Sequence, residues 1–294
     1  MKSAGFEYAR PASIDEACAL LAANPDARPI AGGQTLIPMM AMRLARPTLL
    51  VDIARLPELK RIFTVENTFK TGAGLCQSDA QRNAAITQNI PLLARALPFV
   101  GHAPTRNRGT LGGSVANADP AAEIPLVLAT LAGSVTVRTG ASETTLTTDA
   151  FFQGPMMTAL PEGGIVTSLG FPVWRHPRIG VGFEEVSARQ SDFAYVSAAA
   201  QVALDAGGRC LQCAMGVGAA TAVPARLGDA MRALTGSMLT PSDIRDALAP
   251  AIAALDIMVD AHASVAWRRR VALTLATRVI IAARDEALAQ EART

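Results

Sequence analysis

The chain has 294 residues, half of them hydrophobic, and its 27 lysine and arginine residues nearly balance 25 aspartate and glutamate residues, for a formal net charge of +2. This length allows two or three domains with buried cores, and the balanced charge excludes a disordered polyelectrolyte or a nucleic-acid-binding surface. Four cysteines fit a reducing compartment, and we predict neither a signal peptide nor a membrane-spanning segment. We therefore expect a cytoplasmic globular protein.

The first part of the chain is predicted to alternate helix and strand. The stretch "SIDE" at residues 13–16 has the spacing of a capping box, which starts a helix, and "NP" at residues 24–25 ends it. Strands are predicted at residues 28–31 and 48–53, with a helix at residues 36–44 between them. The pattern indicates a small α/β unit.

Two further regions follow this unit. The predicted elements of the middle region are strands at residues 69–74, 134–138 and 165–171 and helices at residues 91–97 and 120–131. The stretch "PVWRHPRIG" at residues 172–180 is typical of a linker. The last region is predicted to contain strands at residues 193–204 and 210–217, a helix after residue 240 and another at residues 264–284. We expect three domains, at residues 1–56, 57–177 and 178–294.

Two glycine-rich stretches are the strongest functional signal. They are "AGGQTLIP" at residues 31–38 and "GTLGGSVANADP" at residues 109–120, and the first follows a predicted strand. Backbone amides can converge on a diphosphate only where no Cβ blocks the approach, and paired glycines give that access. Four or five amides could hold a diphosphate without a lysine, since each charge-assisted hydrogen bond contributes about 1.5 to 3 kcal/mol.

The end of the second stretch predicts the start of a helix. Asp119 has the character of an N-cap and Pro120 that of a first helical residue, so the positive end of the helix would assist anion binding. Glu123, in the first turn, could accept a hydrogen bond from a sugar hydroxyl, as acidic residues do in other dinucleotide sites.

Each glycine pair also has a purely structural interpretation. Gly-Gly pairs are commonly turns or closely packed backbones, and for one loop alone that interpretation is favoured. Neither stretch matches the G-x-G-x-x-G pattern or the G-x-x-x-x-G-K-[ST] phosphate loop.

Three stretches together resemble a known family. "AGGQTL", "RNRGTLGGSVANADPAAEIP" at residues 106–125 and "FEEVSARQSDFAYVSAAAQV" at residues 183–202 are similar to the FAD-binding medium subunit of the molybdenum hydroxylases. That family includes the carbon monoxide dehydrogenase medium chain and the flavin domain of xanthine dehydrogenase. The resemblance implies an α+β chain, with a two-subdomain FAD-binding fold of the PCMH (vanillyl-alcohol oxidase-like) type and a C-terminal domain of a small antiparallel sheet with helices.

The resemblance also implies which residues bind FAD, and it implies no catalytic or metal-ligating residue. The implied set is Ala31, Gly32, Gly33, Gln34, Thr35, Leu36, Thr110, Leu111, Gly112, Gly113, Ser114, Asn117, Asp119, Glu123, Val166 and Phe193. Val166 aligns with a position at the adenine end, for which a core-strand role is equally favoured. Phe193 is the aromatic candidate beside the flavin ring, and Tyr195 is a weaker one.

The implied activity is electron transfer within a complex. A large subunit with a molybdenum-pterin cofactor would oxidise an aromatic N-heterocycle, an aldehyde or a similar small molecule. A small subunit with iron-sulfur clusters would pass the electrons to FAD and on to a terminal acceptor. The expected assembly is a dimer of heterotrimers. The alternatives are a free-standing FAD-dependent oxidoreductase, for which no added substrate domain is evident, and an assembly subunit without cofactor.

Other candidate sites have weaker support. Cys210 and Cys213 could form a metal or redox pair, but they lie in a predicted strand without a second ligand pair, which favours buried structural thiols. His102 could polarise a flavin group or bond within its loop, and the loop role is favoured. Arg106 and Arg108 could add positive potential near a diphosphate or hold the loop through carbonyl groups, and these two roles stay open.

Overall fold

The computed structural model describes residues 2–290. The strands are β1 (Glu7–Ala9), β2 (Ala27–Ile30), β3 (Leu49–Asp52), β4 (Ile62–Val65), β5 (Thr68–Gly72), β6 (Ser134–Thr139), β7 (Ser142–Thr147), β8 (Phe152–Gly154), β9 (Met157–Thr158), β10 (Ile165–Pro172), β11 (Arg178–Ser187), β12 (Ala194–Leu204), β13 (Cys210–Gly218) and β14 (Ala225–Arg226). The helices are α1 (Ile14–Ala23), α2 (Leu36–Ala41), α3 (Gln77–Arg82), α4 (Ala84–Asn89), α5 (Pro91–Ala96), α6 (Ala103–Arg106), α7 (Leu111–Asn117), α8 (Glu123–Thr130), α9 (Thr148–Phe151), α10 (Gly228–Leu234), α11 (Pro241–Ala253) and α12 (Val265–Ala289), with 3-10 turns at Pro57–Lys60 and Leu97–Phe99.

The N-terminal unit is a parallel three-stranded sheet in the order β1-β3-β2. Helix α1 covers it, because Ala17, Cys18 and Leu21 recur at helical spacing and all lie buried against this sheet. Its core is separate from the rest of the molecule and also takes in Leu59 and Ile165 from the following region. The first glycine stretch leaves this sheet at the carboxyl end of β2.

The middle region is a five-stranded antiparallel sheet in the order β4-β5-β10-β6-β7. Its central strand β10 is buried along nearly its whole length, as an apolar run without alternation predicts for a strand covered on both faces. The register between β10 and β6 shifts between Val166 and Ser168. The irregularity lies near the end of β10 that borders the cleft described below.

The C-terminal region is an antiparallel sheet in the order β11-β12-β13-β14 with helices on both faces. Helix α12 packs so closely on one face that a Cβ on Gly182 would lie 2.2 Å from the Val279 carbonyl oxygen. Helices α5 and α8 of the middle region cover the other face. The second core therefore runs without interruption from the middle region into the C-terminal region.

The predicted α+β class is confirmed, while several element bounds differ from the prediction. Helix α8 begins at Glu123 rather than at Pro120, and its N-cap is Ala122, so the prediction that Asp119 caps this helix is wrong. Asp119 instead forms a turn, accepting a hydrogen bond from the Ala121 amide at 2.9 Å. The second glycine stretch, predicted as a loop, contains helix α7. Helix α2 ends early, because Arg43 adopts a left-handed φ of 61°.

Other local predictions are confirmed with small shifts. Ser13 caps α1 by accepting from the Glu16 amide at 3.2 Å, although the Glu16 carboxylate reaches the amide of Ala12 rather than that of Ser13. The predicted linker is irregular only over residues 173–177, since β11 begins at Arg178. The three-domain division stays a prediction, and its outermost residues, 1 and 291–294, lie outside the described part of the chain.

Candidate cofactor-binding site

A cleft of about 840 Å³ lies where the two glycine stretches meet. Its walls come from the loop after β2, from helix α7 and the turn before α8, from the segment before β10, and from the loop before β12. This volume is typical of small-molecule and cofactor sites, which occupy about 300 to 1,000 Å³. The cleft joins segments that are far apart in sequence, as a long ligand with several chemical parts requires.

The structure brings together nearly all of the residues predicted for the site. Those that line the cleft are Ala31, Gly32, Gly33, Gln34, Thr35, Leu36, Thr110, Gly112, Gly113, Ser114, Asn117, Asp119, Glu123, Val166 and Phe193. Leu111 does not line it: its side chain is fully buried in the core, and its amide donates to the Leu75 carbonyl oxygen at 3.0 Å. Leu111 supports the loop from behind and offers no donor to the cleft.

The glycines are required mainly by contacts within the protein. A Cβ on Gly32 would lie 2.1 Å from the Arg108 carbonyl oxygen, so Gly32 lets the two loops touch. A Cβ on Gly112 would lie 2.3 Å from the Ala73 Cβ, so Gly112 lets α7 pack on the chain beyond β5. These close approaches explain two of the glycines without any ligand.

The first loop presents a row of free donors. Within residues 2–290, none of the amides of residues 32–36 donates a hydrogen bond to a protein acceptor. Gly33 has a φ of 69°, a conformation that bends the backbone just before α2. The Gln34 side chain is exposed and donates from Nε2 to the Gly32 carbonyl oxygen at 3.0 Å. Five consecutive unpaired amides at the edge of a cleft are an anion-binding arrangement.

The amides of the second loop donate hydrogen bonds to acceptors within the protein. The Gly112 amide donates to the Ala73 carbonyl oxygen at 2.8 Å, and the Gly113 amide donates to Thr110 Oγ1 at 3.0 Å. The Ser114 amide donates to the Thr110 carbonyl oxygen at 3.2 Å. Thr110 is therefore the N-cap of α7. The first turn of α7 still offers the Ser114 hydroxyl to a ligand, because this hydroxyl has no partner among the described residues.

Glu123 is a buried carboxyl group on the cleft wall. Only 9 % of the residue is exposed, and burial raises the pKa of Glu123 to about 7, helped by the nearby charge of Asp119 and opposed by that of Arg106. Near neutral pH this carboxyl group is therefore partly protonated, so it can donate as well as accept a hydrogen bond.

Phe193 also lines the cleft, and 70 % of its surface is exposed. Its amide donates to the Asp192 carboxylate at 3.0 Å, and Arg189 reaches the same carboxylate at 3.2 Å. The amide of Phe193, then Arg189, lower the pKa of Asp192. Tyr195 faces a neighbouring cavity of about 410 Å³ and stacks on His262 with ring centroids 5.5 Å apart.

The structure decides between the two roles left open for Arg106. Its Nη1 donates to the carbonyl oxygens of Val100 and Gly101 at 3.0 and 2.6 Å, and its Nε donates to Gln81. Arg106 thus holds the loop before α6. His102, for which a loop role was favoured, is exposed on the cleft wall.

Sequence reasoning missed the segment of residues 160–164, which lines the cleft just before β10. The signal was present as a third glycine pair, Gly163 and Gly164, directly before a strand. Gly163 has a φ of 69°, which again marks a bend leading into the cleft.

Other candidate sites carry no such arrangement. Cys210 and Cys213 are buried free thiols on β13, as the sequence favoured. Within residues 2–290, no three histidine, cysteine, aspartate or glutamate side chains are grouped so that they could hold a metal ion. Over the same residues, no helix is both long enough and apolar enough to cross a membrane.

An α+β chain whose cleft combines a row of free amides with a buried carboxyl group and an exposed aromatic ring defines a dinucleotide-binding protein. The family described as "FAD binding domain in molybdopterin dehydrogenase" matches residues 4–174, and "CO dehydrogenase flavoprotein C-terminal domain" matches residues 182–283. The chain therefore belongs to the FAD-binding medium subunits of the molybdenum hydroxylases, and it is an oxidoreductase subunit.

Similar proteins align with this chain over nearly its full length. The chain is 36% identical to the nicotine 6-hydroxylase medium subunit of Paenarthrobacter nicotinovorans, over 96% of this chain and 99% of that one. It is 28% identical to the carbon monoxide dehydrogenase medium chain of Afipia carboxidovorans, over 96% and 98%. A solved structure of quinoline 2-oxidoreductase from Pseudomonas putida 86 superposes with a TM-score of 0.91 at 33% identity, over 98% and 100%. This agreement supports the subunit interpretation over a free-standing oxidoreductase.

Proposed function

We propose that FAD lies along the cleft with its diphosphate on the first glycine loop. The observation that carries this proposal is the row of five unpaired amides at residues 32–36. A diphosphate would supply the acceptors these amides lack, and no side-chain cation is needed. The Ser114 hydroxyl on the facing wall adds one donor, while Leu111 acts only from the core.

The remaining predicted residues would hold the other parts of FAD. Glu123, with Asp119 and Asn117 beside it, provides polar groups for hydroxyls of the sugar-like chain. Val166 is buried at the start of β10 and gives an apolar surface for the adenine end. Phe193 gives an exposed ring beside the flavin. When bound, FAD supplies the ability to take up electrons one at a time and release two.

The chain's role in the complex follows from this chemistry. We infer that it works in the cytoplasm with a large molybdenum-pterin subunit and a small iron-sulfur subunit, as a dimer of heterotrimers. The role that fits this chemistry is to relay electrons between clusters and a terminal acceptor. Relatives named for nicotine, caffeine and quinoline support an aromatic N-heterocycle as the substrate of the large subunit. A relative named for glyceraldehyde keeps an aldehyde as the second candidate.

The diphosphate position is tested by placing a negative charge in the first loop. Gln34→Glu changes an exposed side chain; it removes the Nε2 hydrogen bond to the Gly32 carbonyl oxygen, and its carboxylate would repel the diphosphate. We expect the dissociation constant for FAD to rise about tenfold or more, which corresponds to ~1.4 kcal/mol. Gln88→Glu, the same change at an exposed site on α4 away from the cleft, is the matched control.

The measurement is a titration of the purified chain with FAD, followed by flavin fluorescence and visible absorption. Equal affinity for FAD in the Gln34→Glu and Gln88→Glu proteins would show that the diphosphate does not lie on the first loop. Failure of the unchanged chain to bind FAD at all would overturn the proposed function. Purification of the complex from its native source then identifies the partner subunits.

A further inference from the structure

Gln77 lines the cleft, although it was not among the predicted site residues. It is the first residue of α3, and only 5 % of the residue is exposed. Its backbone amide donates to the Gly109 carbonyl oxygen at 2.8 Å. The second glycine stretch therefore fixes the position from which the Gln77 side chain reaches the cleft.

The side-chain amide of Gln77 makes no hydrogen bond within the protein. Over residues 2–290, its Oε1 is buried and meets no donor, and its Nε2 meets no acceptor. Burying an unpaired amide costs free energy, whereas an apolar side chain of the same length would fill this space without that cost. Since Oε1 is closed off from solvent, Nε2 is the polar atom of this side chain that can face the cleft.

Gly109 makes room for this amide. A Cβ on Gly109 would lie 2.7 Å from Gln77 Oε1 and 3.0 Å from the Thr105 carbonyl oxygen. Gly109 does not have a left-handed φ, so these close contacts, rather than a bend of the backbone, require a glycine here. The first glycine of the second stretch is thus explained by its contacts with Gln77 and Thr105.

Gly109 is also a point at which the two glycine loops meet. A Cβ on Gly32 would lie 2.8 Å from Gly109 Cα, and the Gly32 amide is the first of the five free amides of residues 32–36. Gly32 and Gln77 therefore pack on the same residue, one from the first loop and the other from α3. This shared contact places the Gln77 amide beside the row of free donors.

The cleft offers an anion few cationic side chains. Among residues 2–290, Arg28 is the only lysine or arginine that lines it, and its Nη1 donates to the carbonyl oxygens of Pro25 and Ala27 at 3.0 and 2.8 Å. A phosphate bound here would be held mainly by neutral donors. Hydrogen bonds from such donors to a charged phosphate are stronger than those to a neutral acceptor.

We propose that Gln77 is a further FAD-binding residue, whose Nε2 donates a hydrogen bond to the diphosphate beside the amides of the first loop. The buried amide then has a partner in the loaded protein that it lacks within the chain itself. This role rests on the proposed function, since it adds a side-chain donor to the proposed diphosphate site.

The first experiment titrates the Gln77→Met protein with FAD, followed by flavin fluorescence. Methionine has the length of glutamine but no donor, so the dissociation constant should rise at least about tenfold, as for loss of a hydrogen bond to a charged group. Gln201→Met is the matched control, because Gln201 on β12 is also buried with an unpaired Oε1 but does not line the cleft. Equal affinity for FAD in these two variants would overturn the proposal.

Denaturant unfolding of the same proteins separates binding from a structural role. The free energy of unfolding of Gln77→Met should be unchanged or higher, because the amide makes no hydrogen bond within the chain. Lower stability with unchanged affinity for FAD would mean that Gln77 acts only in packing, against the proposal. Gln77→Glu keeps the shape of the side chain and should bind FAD more weakly than Gln77→Met, since its carboxylate would repel the diphosphate. Gln77→Glu with the affinity of the unchanged chain would also overturn the proposal.

ADP, titrated as a competitor of FAD, tests which part of the cofactor Gln77 contacts. ADP carries the diphosphate without the flavin, so its affinity should fall in Gln77→Met by the same factor as that of FAD. If only the affinity for FAD falls, the contact is with the flavin half and the assignment to the diphosphate is overturned. If the unchanged chain binds no FAD, the proposed function itself fails. If the unchanged chain and Gln77→Met bind FAD equally, only the role of Gln77 fails.

Discussion

The two glycine loops are similar in sequence but have different roles in the structure. The first loop, residues 31–36, lines the cleft, and within residues 2–290 the five amides of residues 32–36 are unpaired. In the second loop, residues 109–114, the amides of Gly113 and Ser114 start α7 and the amide of Gly112 fixes it to Ala73. The first loop has free donors for a ligand, and the second loop starts the helix that forms another wall of the cleft.

The difference shows that a glycine pair does not by itself indicate ligand contact. Gly112 is required because α7 approaches the backbone at Ala73, and Gly32 is required because the two loops touch at Arg108. The free amides of the first loop are a consequence of its geometry, since the chain passes from β2 to α2 without a capping side chain. Substitutions in the second loop should therefore affect stability first, and substitutions in the first loop should affect FAD binding.

The largest expected effect in this comparison is that of Gly112→Ala. Its Cβ would lie 2.3 Å from the Ala73 Cβ and 2.8 Å from the Ala73 carbonyl oxygen, which leaves no room without a backbone shift. We expect a loss of about 3 kcal/mol in the free energy of unfolding, at the upper end of the cost of overpacking. Denaturant unfolding measures this loss.

Gly113→Ala is the control for that prediction. Its added Cβ would approach only Thr110 Oγ1, at 2.7 Å, and Gly113 is otherwise exposed. Its loss of stability should be clearly smaller. If the two alanine variants unfold at the same denaturant concentration, the packing of α7 on Ala73 does not determine the choice of glycine.

Thr110→Ala should have an intermediate effect on stability. The Thr110 hydroxyl accepts from the Gly113 amide and caps α7, so its removal leaves that amide without a partner. We expect a loss of about 1 kcal/mol, typical of N-cap removal. Thr110→Ser keeps the hydroxyl and should retain most of the stability. A serine variant as unstable as the alanine variant would show that the methyl group, rather than the cap, accounts for the loss.

Much of the fold could be predicted because its signals are local. The helical recurrence of Cys18 and Leu21 and the apolar run of β10 depend on neighbours in sequence, and the structure confirms both elements. Helix α7 could not be predicted in this way, since Gly112 and Gly113 weaken helix propensity. Its formation depends on packing against Ala73, a contact between residues far apart in the chain.

The site was predictable in part for the same reason. The two loops could be found from their glycines, but the pairing of their amides depends on tertiary contacts that the sequence does not display. The carboxyl group of Glu123 was predictable as a candidate, whereas its raised pKa of about 7 comes from burial.

Of the substitutions that compare the two loops, Ser114→Ala has the smallest expected effect. The Ser114 hydroxyl lines the cleft and has no partner within residues 2–290, so its removal costs the folded chain no internal hydrogen bond. Alanine is also the better helix former, so stability should be unchanged or higher by a few tenths of a kcal/mol. FAD binding should weaken by about fivefold, the equivalent of one hydrogen bond of ~1 kcal/mol.

Ser142→Ala, at an exposed position of β7 outside the cleft, is the matched control for FAD titration of this variant. The result to look for is a change in affinity without a change in the unfolding midpoint, the reverse of the pattern expected for Gly112→Ala. Because α7 uses its first amides on Ala73 and Thr110, the Ser114 hydroxyl is the donor that the first turn of α7 would offer to the ligand. Unchanged affinity in Ser114→Ala would mean that the first turn of α7 only shapes the cleft and that the first loop alone binds the diphosphate.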